Sequence, residues 1–270
     1  MGAVSVVGQA LADDSHSPLH GMSGDHKDIG DPATMRNNSL ELKDRLPVHG
    51  GIAAAIAAAA IGLVAACTAE APQRSDFPPA PAGLADRMAT YREAARAFPQ
   101  HVWRDTPPTN ADGTLNGYVE IPRGESTKWE FRIPMNRREV DRTIPSELGG
   151  YPINYGFIPQ TISYDGDPAD VLVLGPPLEG GTVVKGRIVA LMEMMDTGDL
   201  DSKVVISPLD ASGRQTETLT ADDRARMERF FNTYKQHDGK STSITGWGSA
   251  ERARRFLETT AGFYTTGNPR

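Results

Sequence analysis

The sequence predicts a mainly β domain with flanking helices, arranged as a small barrel. Three observations carry that expectation. From Gly117 to Ile206, apolar runs of strand length are separated by Gly and Pro turns, as in small barrels. Upstream, Leu84, Met88, Tyr91, Ala95 and Phe98 recur at helical spacing. Downstream, two apolar stripes each follow a residue able to cap a helix.

Taken in order, Leu84 to Phe98 is expected to form an amphipathic helix packed against the domain. The strands are expected at Tyr118–Ile121, Lys128–Ile133, Val171–Leu174, Thr182–Met192 and Lys203–Ile206. The first closing helix has Thr220 as cap and Asp223 three residues on. Met227, Phe230, Phe231 and Tyr234 form one stripe. The second has Ser249 as cap, Ala250, Ala253, Phe256 and Leu257 facing inward, and Gly262 past its end.

The residues before this domain divide into three segments. Residues 1–50 are polar and lack periodicity, as a disordered stretch does. Gly51 to Ala66 is an Ala/Ile/Leu/Val/Gly run, short for a membrane span of about 20 residues but suited to the apolar core of a secretory signal. It ends in Val64-Ala65-Ala66-Cys67, which resembles a bacterial lipoprotein box with Cys67 as the acylated residue. A tether rich in Pro and Ala follows to Gly83. An uncleaved anchor or a buried Ala-rich helix stand as alternatives for the apolar run. The expected division is therefore 1–34, disordered or a mis-assigned start; 35–66, a signal beginning at Met35; 67–83, the tether; and 84–270, the domain. That places the domain on the periplasmic side, lipid-anchored to a bacterial membrane. A start at Met88 would instead leave it in the cytoplasm.

Composition excludes some functions. The net charge is −7, so nucleic-acid binding has no electrostatic support. One cysteine rules out an intrachain disulfide. No His falls between Val102 and Gln236, so that stretch offers neither a Ser-His-Asp triad nor a His-ligated zinc site. Chemistry there must come from carboxylates, Lys, Arg and Tyr.

The acidic residues are concentrated. Asp165, Asp167 and Asp170 lie in a turn that runs into the apolar Val171-Leu172-Val173-Leu174. Negative charge at the mouth of a buried strand is costly unless cancelled. Hard divalent cations cancel it well because they take oxygen ligands, so Mg²⁺ or a similar ion is expected here. The spacing does not suit an EF-hand, in which position 6 is Gly; here position 6 is Asp170. A second acidic run is Asp196-Thr197-Gly198-Asp199-Leu200-Asp201-Ser202-Lys203.

The block Tyr164 to Val171 resembles the signature of the family I soluble inorganic pyrophosphatases, D-[SGDN]-D-[PE]-x-D. Just upstream, Gly150-Tyr151-Pro152-Ile153-Asn154-Tyr155-Gly156-Phe157-Ile158-Pro159 is similar to a second hallmark of that family. Glu120-Ile121-Pro122-Arg123-Gly124 with Lys128 and Glu130, the Asp141-Arg142 pair, Asp196, Asp201 and Lys203, and Tyr234-Lys235 match further family positions. Trp129 stands where the family usually has Tyr or Phe. The order of residues between Asp196 and Asp201 departs from the usual one. The resemblance covers roughly Trp103 to Phe263 and implies a five-stranded OB-like barrel with helices packed on it.

It also implies an inorganic diphosphatase that splits pyrophosphate with metal-activated water. Asp165, Asp170 and Asp201 would ligate two metals, with Asp170 bridging. Asp196 and Asp201 would hold a further one that arrives with substrate. Glu120 and Glu130 complete the acidic set. Asp167 would be the general base. Lys128, Arg142, Tyr155, Lys203, Tyr234 and Lys235 would bind phosphate. Several Mg²⁺ ions per site are implied, with Mn²⁺ or Zn²⁺ as substitutes, and so is a homo-oligomer, a hexamer in bacterial members. A rival expectation is a metal- or polyanion-binding lipoprotein that keeps the barrel without turnover.

Overall fold

Nine strands and four α-helices make up the described part of the chain, residues 76–266 of a computed structural model. The strands are β1 (Leu115–Ile121), β2 (Thr127–Arg132), β3 (Arg137–Thr143), β4 (Asn154–Phe157), β5 (Asp170–Val173), β6 (Val183–Asp196), β7 (Asp199–Leu200), β8 (Lys203–Pro208) and β9 (Thr242–Ser249). The helices are α1 (Leu84–Ala95), the short α2 (Val102–Asp105), α3 (Ala221–Phe231) and α4 (Ala250–Thr266). The expected segments 1–34, 35–66 and most of 67–83, with Cys67, lie outside the described residues.

Strand pairing runs β1-β4-β5-β8-β6, and β6 also pairs with β1. The path of hydrogen-bonded neighbours thus returns to its start through five strands, as an OB-like barrel requires. β5 and β8 are parallel, and the other pairs in the ring are antiparallel. β6 is long enough to serve four partners: its first residues pair with β1, its middle with β8, its second half with β9 and its last two residues with β7. Register shifts at Ile188/Ala190 and Glu193/Met194 bend it between them. β2 and β3 form a separate hairpin.

All five expected strands form, and four more were not expected. β3 reads Arg-Arg-Glu-Val-Asp-Arg-Thr; it has almost no apolar alternation because it pairs only with β2. β4 and β9 contain Gly156, Gly246 and Gly248, which dilute the apolar signal. At Gly156 the glycine is required: a Cβ would lie 1.8 Å from the Tyr118 carbonyl oxygen on β1. β7 is a two-residue stub.

The helices follow their expected stripes with changed ends. α1 stops at Ala95 rather than Phe98. α3 is closed at its start by the reciprocal Thr220–Asp223 capping box. It ends at Phe231, so Tyr234 and Lys235 sit in the turn beyond it, with Tyr234 still buried. In α4, Ala253, Phe256 and Leu257 are buried, but the helix continues through Gly262 to Thr266. Packing outweighs the roughly 1 kcal/mol cost of a helical glycine. Two main clusters flank the ring. One joins Ile121, Leu172, Met192 and Val205 to Phe230 and Phe231 of α3. The other joins Val171, Leu191 and Ile206 to Phe256 and Leu257 of α4.

Candidate active site

A cavity of about 650 Å³ opens at one end of the ring. Every described residue expected in the site lines it except Lys203. β1 supplies Glu120; the β2–β3 hairpin supplies Lys128, Glu130 and Arg142, with Asp141 beside them; β4 supplies Tyr155. The turn before β5 brings Asp165 and Asp167, and β5 opens with Asp170. Asp196 ends β6, Asp201 precedes β8, and Tyr234 and Lys235 follow α3.

The signature turn is fixed by its own backbone. Asp167 N–H donates to Asp165 Oδ1 at 3.0 Å, and Ser163 N–H donates to the Asp167 carbonyl at 2.6 Å. Gly166 between them has φ +84°, which a side chain would strain. The altered order of residues in the second acidic run also has a local counterpart. Thr197 and Gly198 both have positive φ, 52° and 100°, and make the two-residue turn from β6 to β7. Asp196 and Asp201 both still reach the cavity.

Lys203 lies beneath the cavity floor, fully buried. Its ammonium donates to Asp170 at 2.5 Å and to Asp201 at 2.9 Å. Lys235 pairs with Asp196. On the hairpin, Lys128 donates to Asp141 at 3.0 Å, and Arg132 lies 3.2 Å from Glu130. Glu120 is buried and accepts the Phe131 N–H at 2.6 Å. Burial pushes its carboxyl up to about 8.

Protein crowding, and then the charges of Asp201, Asp167 and Asp170, push Asp165 well above the usual carboxylate range. The side chain is open to solvent in the cavity, so water offsets much of the first cause, and like charge is the cause that stands. Asp201 is raised to about 6 by burial, against the pull of Lys203. Burial and the neighbouring aspartates keep Tyr155 protonated far above neutral pH, so its hydroxyl remains a donor.

The donor set suits a hard divalent cation: it is all oxygen, and its like charge is only partly answered by Lys203 and Lys235. The two lysines already hold Asp170, Asp201 and Asp196, and among the described residues no three His, Cys, Asp or Glu groups meet around one point. The basic side has an open donor of its own. Arg142 is tied to Asp238 through Nε at 3.3 Å, but its buried Nη2 has no partner.

Sequence reasoning missed Tyr91, Tyr151, Arg132 and Lys240, which also line the cavity. Tyr91 carried one signal, a polar-tipped ring in an otherwise apolar stripe. Nothing in the sequence marked Arg132 or Lys240, which reach the cavity by chain path alone.

A sequence model of the family described as inorganic pyrophosphatase matches residues 117–265. The inorganic pyrophosphatase of Synechocystis sp. is 35% identical over 152 residues, 54% of this chain and 89% of that protein. That of Halobacterium salinarum is 37% identical over 166 residues, 58% and 93%. Among solved structures, the inorganic pyrophosphatase of Neisseria gonorrhoeae aligns with TM-score 0.56 and 32% identity, covering 60% of this chain and 97% of that one. The Thermus thermophilus structure aligns at 0.56 and 29%, covering 62% and 99%.

Proposed function

The chain belongs to the inorganic pyrophosphatase family, and from that premise we infer how its cavity works. It is an enzyme, and it hydrolyses inorganic pyrophosphate to two orthophosphates. The observation that carries the assignment of roles is the convergence in one cavity of an acidic group around Asp165 and a basic group that leaves Arg142 Nη2 free.

Three tasks follow from the reaction. Water must lose a proton, the phosphate charge must be neutralised, and the leaving phosphate must be stabilised. Asp167 takes the proton as general base. Lys128, Arg142 and Lys235, with the hydroxyls of Tyr155 and Tyr234, bind the phosphate oxygens by charge-assisted and neutral hydrogen bonds. Lys203 holds Asp170 and Asp201 in place from below. A divalent cation, Mg²⁺ in this proposal with Mn²⁺ or Zn²⁺ as substitutes, would lower the pKa of bound water and offset phosphate charge. Asp165, Asp170, Asp196 and Asp201, with Glu120 and Glu130, would hold several such ions.

Asp167→Asn tests the assignment. Phosphate release is expected to fall by about 10²–10⁴-fold with the melting temperature unchanged; full activity in the variant would remove Asp167 from the role. A binding-only reading has no observation of its own to favour it.

We also propose that the chain is exported and acylated at Cys67, on the strength of the apolar run, the lipoprotein-type box and the tether. Palmitate labelling of the bacterial cell is expected to mark the wild type and not Cys67→Ala. Assembly as a homo-oligomer, a hexamer by family resemblance, is part of the same proposal, and light scattering on the purified chain reads it directly.

A further inference from the structure

Helix α1 lies upstream of the residues that match the family, yet it reaches the cavity. Leu84 and Met88 seat it in an apolar cluster with Trp103, Ile133 and Ile162. From that seat Tyr91 donates its hydroxyl proton to Asp167 Oδ1 at 2.9 Å. Arg87 Nη1 stands 3.7 Å from the same oxygen.

The Tyr91 ring is itself held. It packs edge-on against Trp103, with centroids 5.8 Å apart and planes at 81°. Trp103 is fully buried, and its indole N–H donates to the Thr161 carbonyl at 3.0 Å. The helix also fits the signature turn. A Cβ at Gly166 would come within 2.6 Å of Arg87 Cδ, so the smallest residue of the turn makes room for the arginine stem.

The Asp167 carboxylate needs such a hold. The bonds within the turn fix its backbone, while its side chain is 49% exposed. Arg87 is half exposed and distant, and an ion pair of that kind contributes little. The tyrosine hydroxyl is therefore the group that fixes the carboxyl rotation. Burial and the Asp167 charge push that hydroxyl up to about 12, so it remains a donor at neutral pH.

We propose that Tyr91 is a positioning residue for the reaction: it pins Asp167 Oδ1 and leaves Oδ2 to meet the water proton. The proposal rests on Asp167 being the general base. A base must sit within hydrogen-bond reach of the proton it takes, and small misplacements of reacting groups are expensive.

The test uses the whole chain, pyrophosphate and Mg²⁺, with Tyr91→Phe, Asp167→Asn and the double variant. Phenylalanine keeps the ring on Trp103 and removes only the hydroxyl. Tyr91→Phe is expected to lower kcat by about three- to tenfold, a fraction of the full contribution of a general base. KM should stay within about twofold, with the melting temperature unchanged. In the Asp167→Asn background the same change should cost nothing further. Wild-type kcat in Tyr91→Phe, a loss confined to KM, or an equal loss in both backgrounds would each overturn the proposal. Full activity in Asp167→Asn would overturn the general-base assignment as well, whereas an inactive Asp167→Asn beside an unimpaired Tyr91→Phe would overturn the positioning role alone.

Discussion

Lys203 shows how one buried cation holds the acidic half together. It has no exposed surface, bridges Asp170 and Asp201, and lies over the Tyr155 and Phe231 rings at 5.5 and 5.9 Å. Removing one partner of a buried ionic group leaves charge without compensation, at about 3–5 kcal/mol. Lys203→Met is therefore expected to lower the urea midpoint clearly in the presence of a chelator. An unchanged midpoint would mean that solvent reaches the two aspartates. Arg142→Gln, which removes the unpartnered Nη2, is expected to raise KM for pyrophosphate by about tenfold, as loss of a hydrogen bond to a charged group does; steady-state kinetics reads it. At this scale the sequence was informative wherever a residue belongs to a spaced motif. Asp165, Asp167, Asp170, Asp196 and Asp201, which the family resemblance grouped, line one cavity. Tyr91 was legible only as part of a helical stripe, because its contact with Asp167 spans 76 residues of chain.

Elements hold these residues in register. β1 and β4 pair so closely at Gly156 that any side chain there would strike the Tyr118 carbonyl. Glu120 and Tyr155 lie on these two strands, so Gly156→Ala should disturb the site as well as the fold. A loss of about 3 kcal/mol or more is expected, read as a lower melting temperature. His101, beside α2, offers a pH test away from the acidic cluster. Its buried ring donates from Nε2 to the Ile133 carbonyl at 2.8 Å and accepts the Arg104 N–H. Burial lowers its proton affinity from the ordinary 6.5. The unfolded chain then takes up the proton at a higher pH than the folded one. Stability from this group is present above about pH 6.5 and is lost as pH falls through the folded value. Denaturation measured at about pH 7.5 and about pH 5.5 should show a shallower drop in His101→Gln than in the wild type. Strands built on apolar runs were legible in the sequence. β3, β4 and β9 were not, because charge or glycine fills the positions that would carry the pattern. Helix starts were better marked than helix ends: the Thr220 cap is real, whereas Gly262 does not stop α4.

The molecule as a whole joins a five-strand ring to a cavity in which acidic and basic groups face one substrate. Fold class and activity could be read in the sequence because the motif residues lie on the ring strands and the turns that join them. The contribution of α1 could not, since it depends on where a helix outside the family match is seated. Pyrophosphate hydrolysis in this cavity is proposed to need a divalent cation, which Asp165, Asp170 and Asp201 would hold. Phosphate release from pyrophosphate by the purified chain, with Mg²⁺ and with chelator, beside Asp170→Ala, decides between these outcomes. Rapid release that needs Mg²⁺ and vanishes in Asp170→Ala is the predicted result. A folded chain that releases no phosphate with Mg²⁺, or releases it equally well with chelator or with Asp170→Ala, would contradict the account.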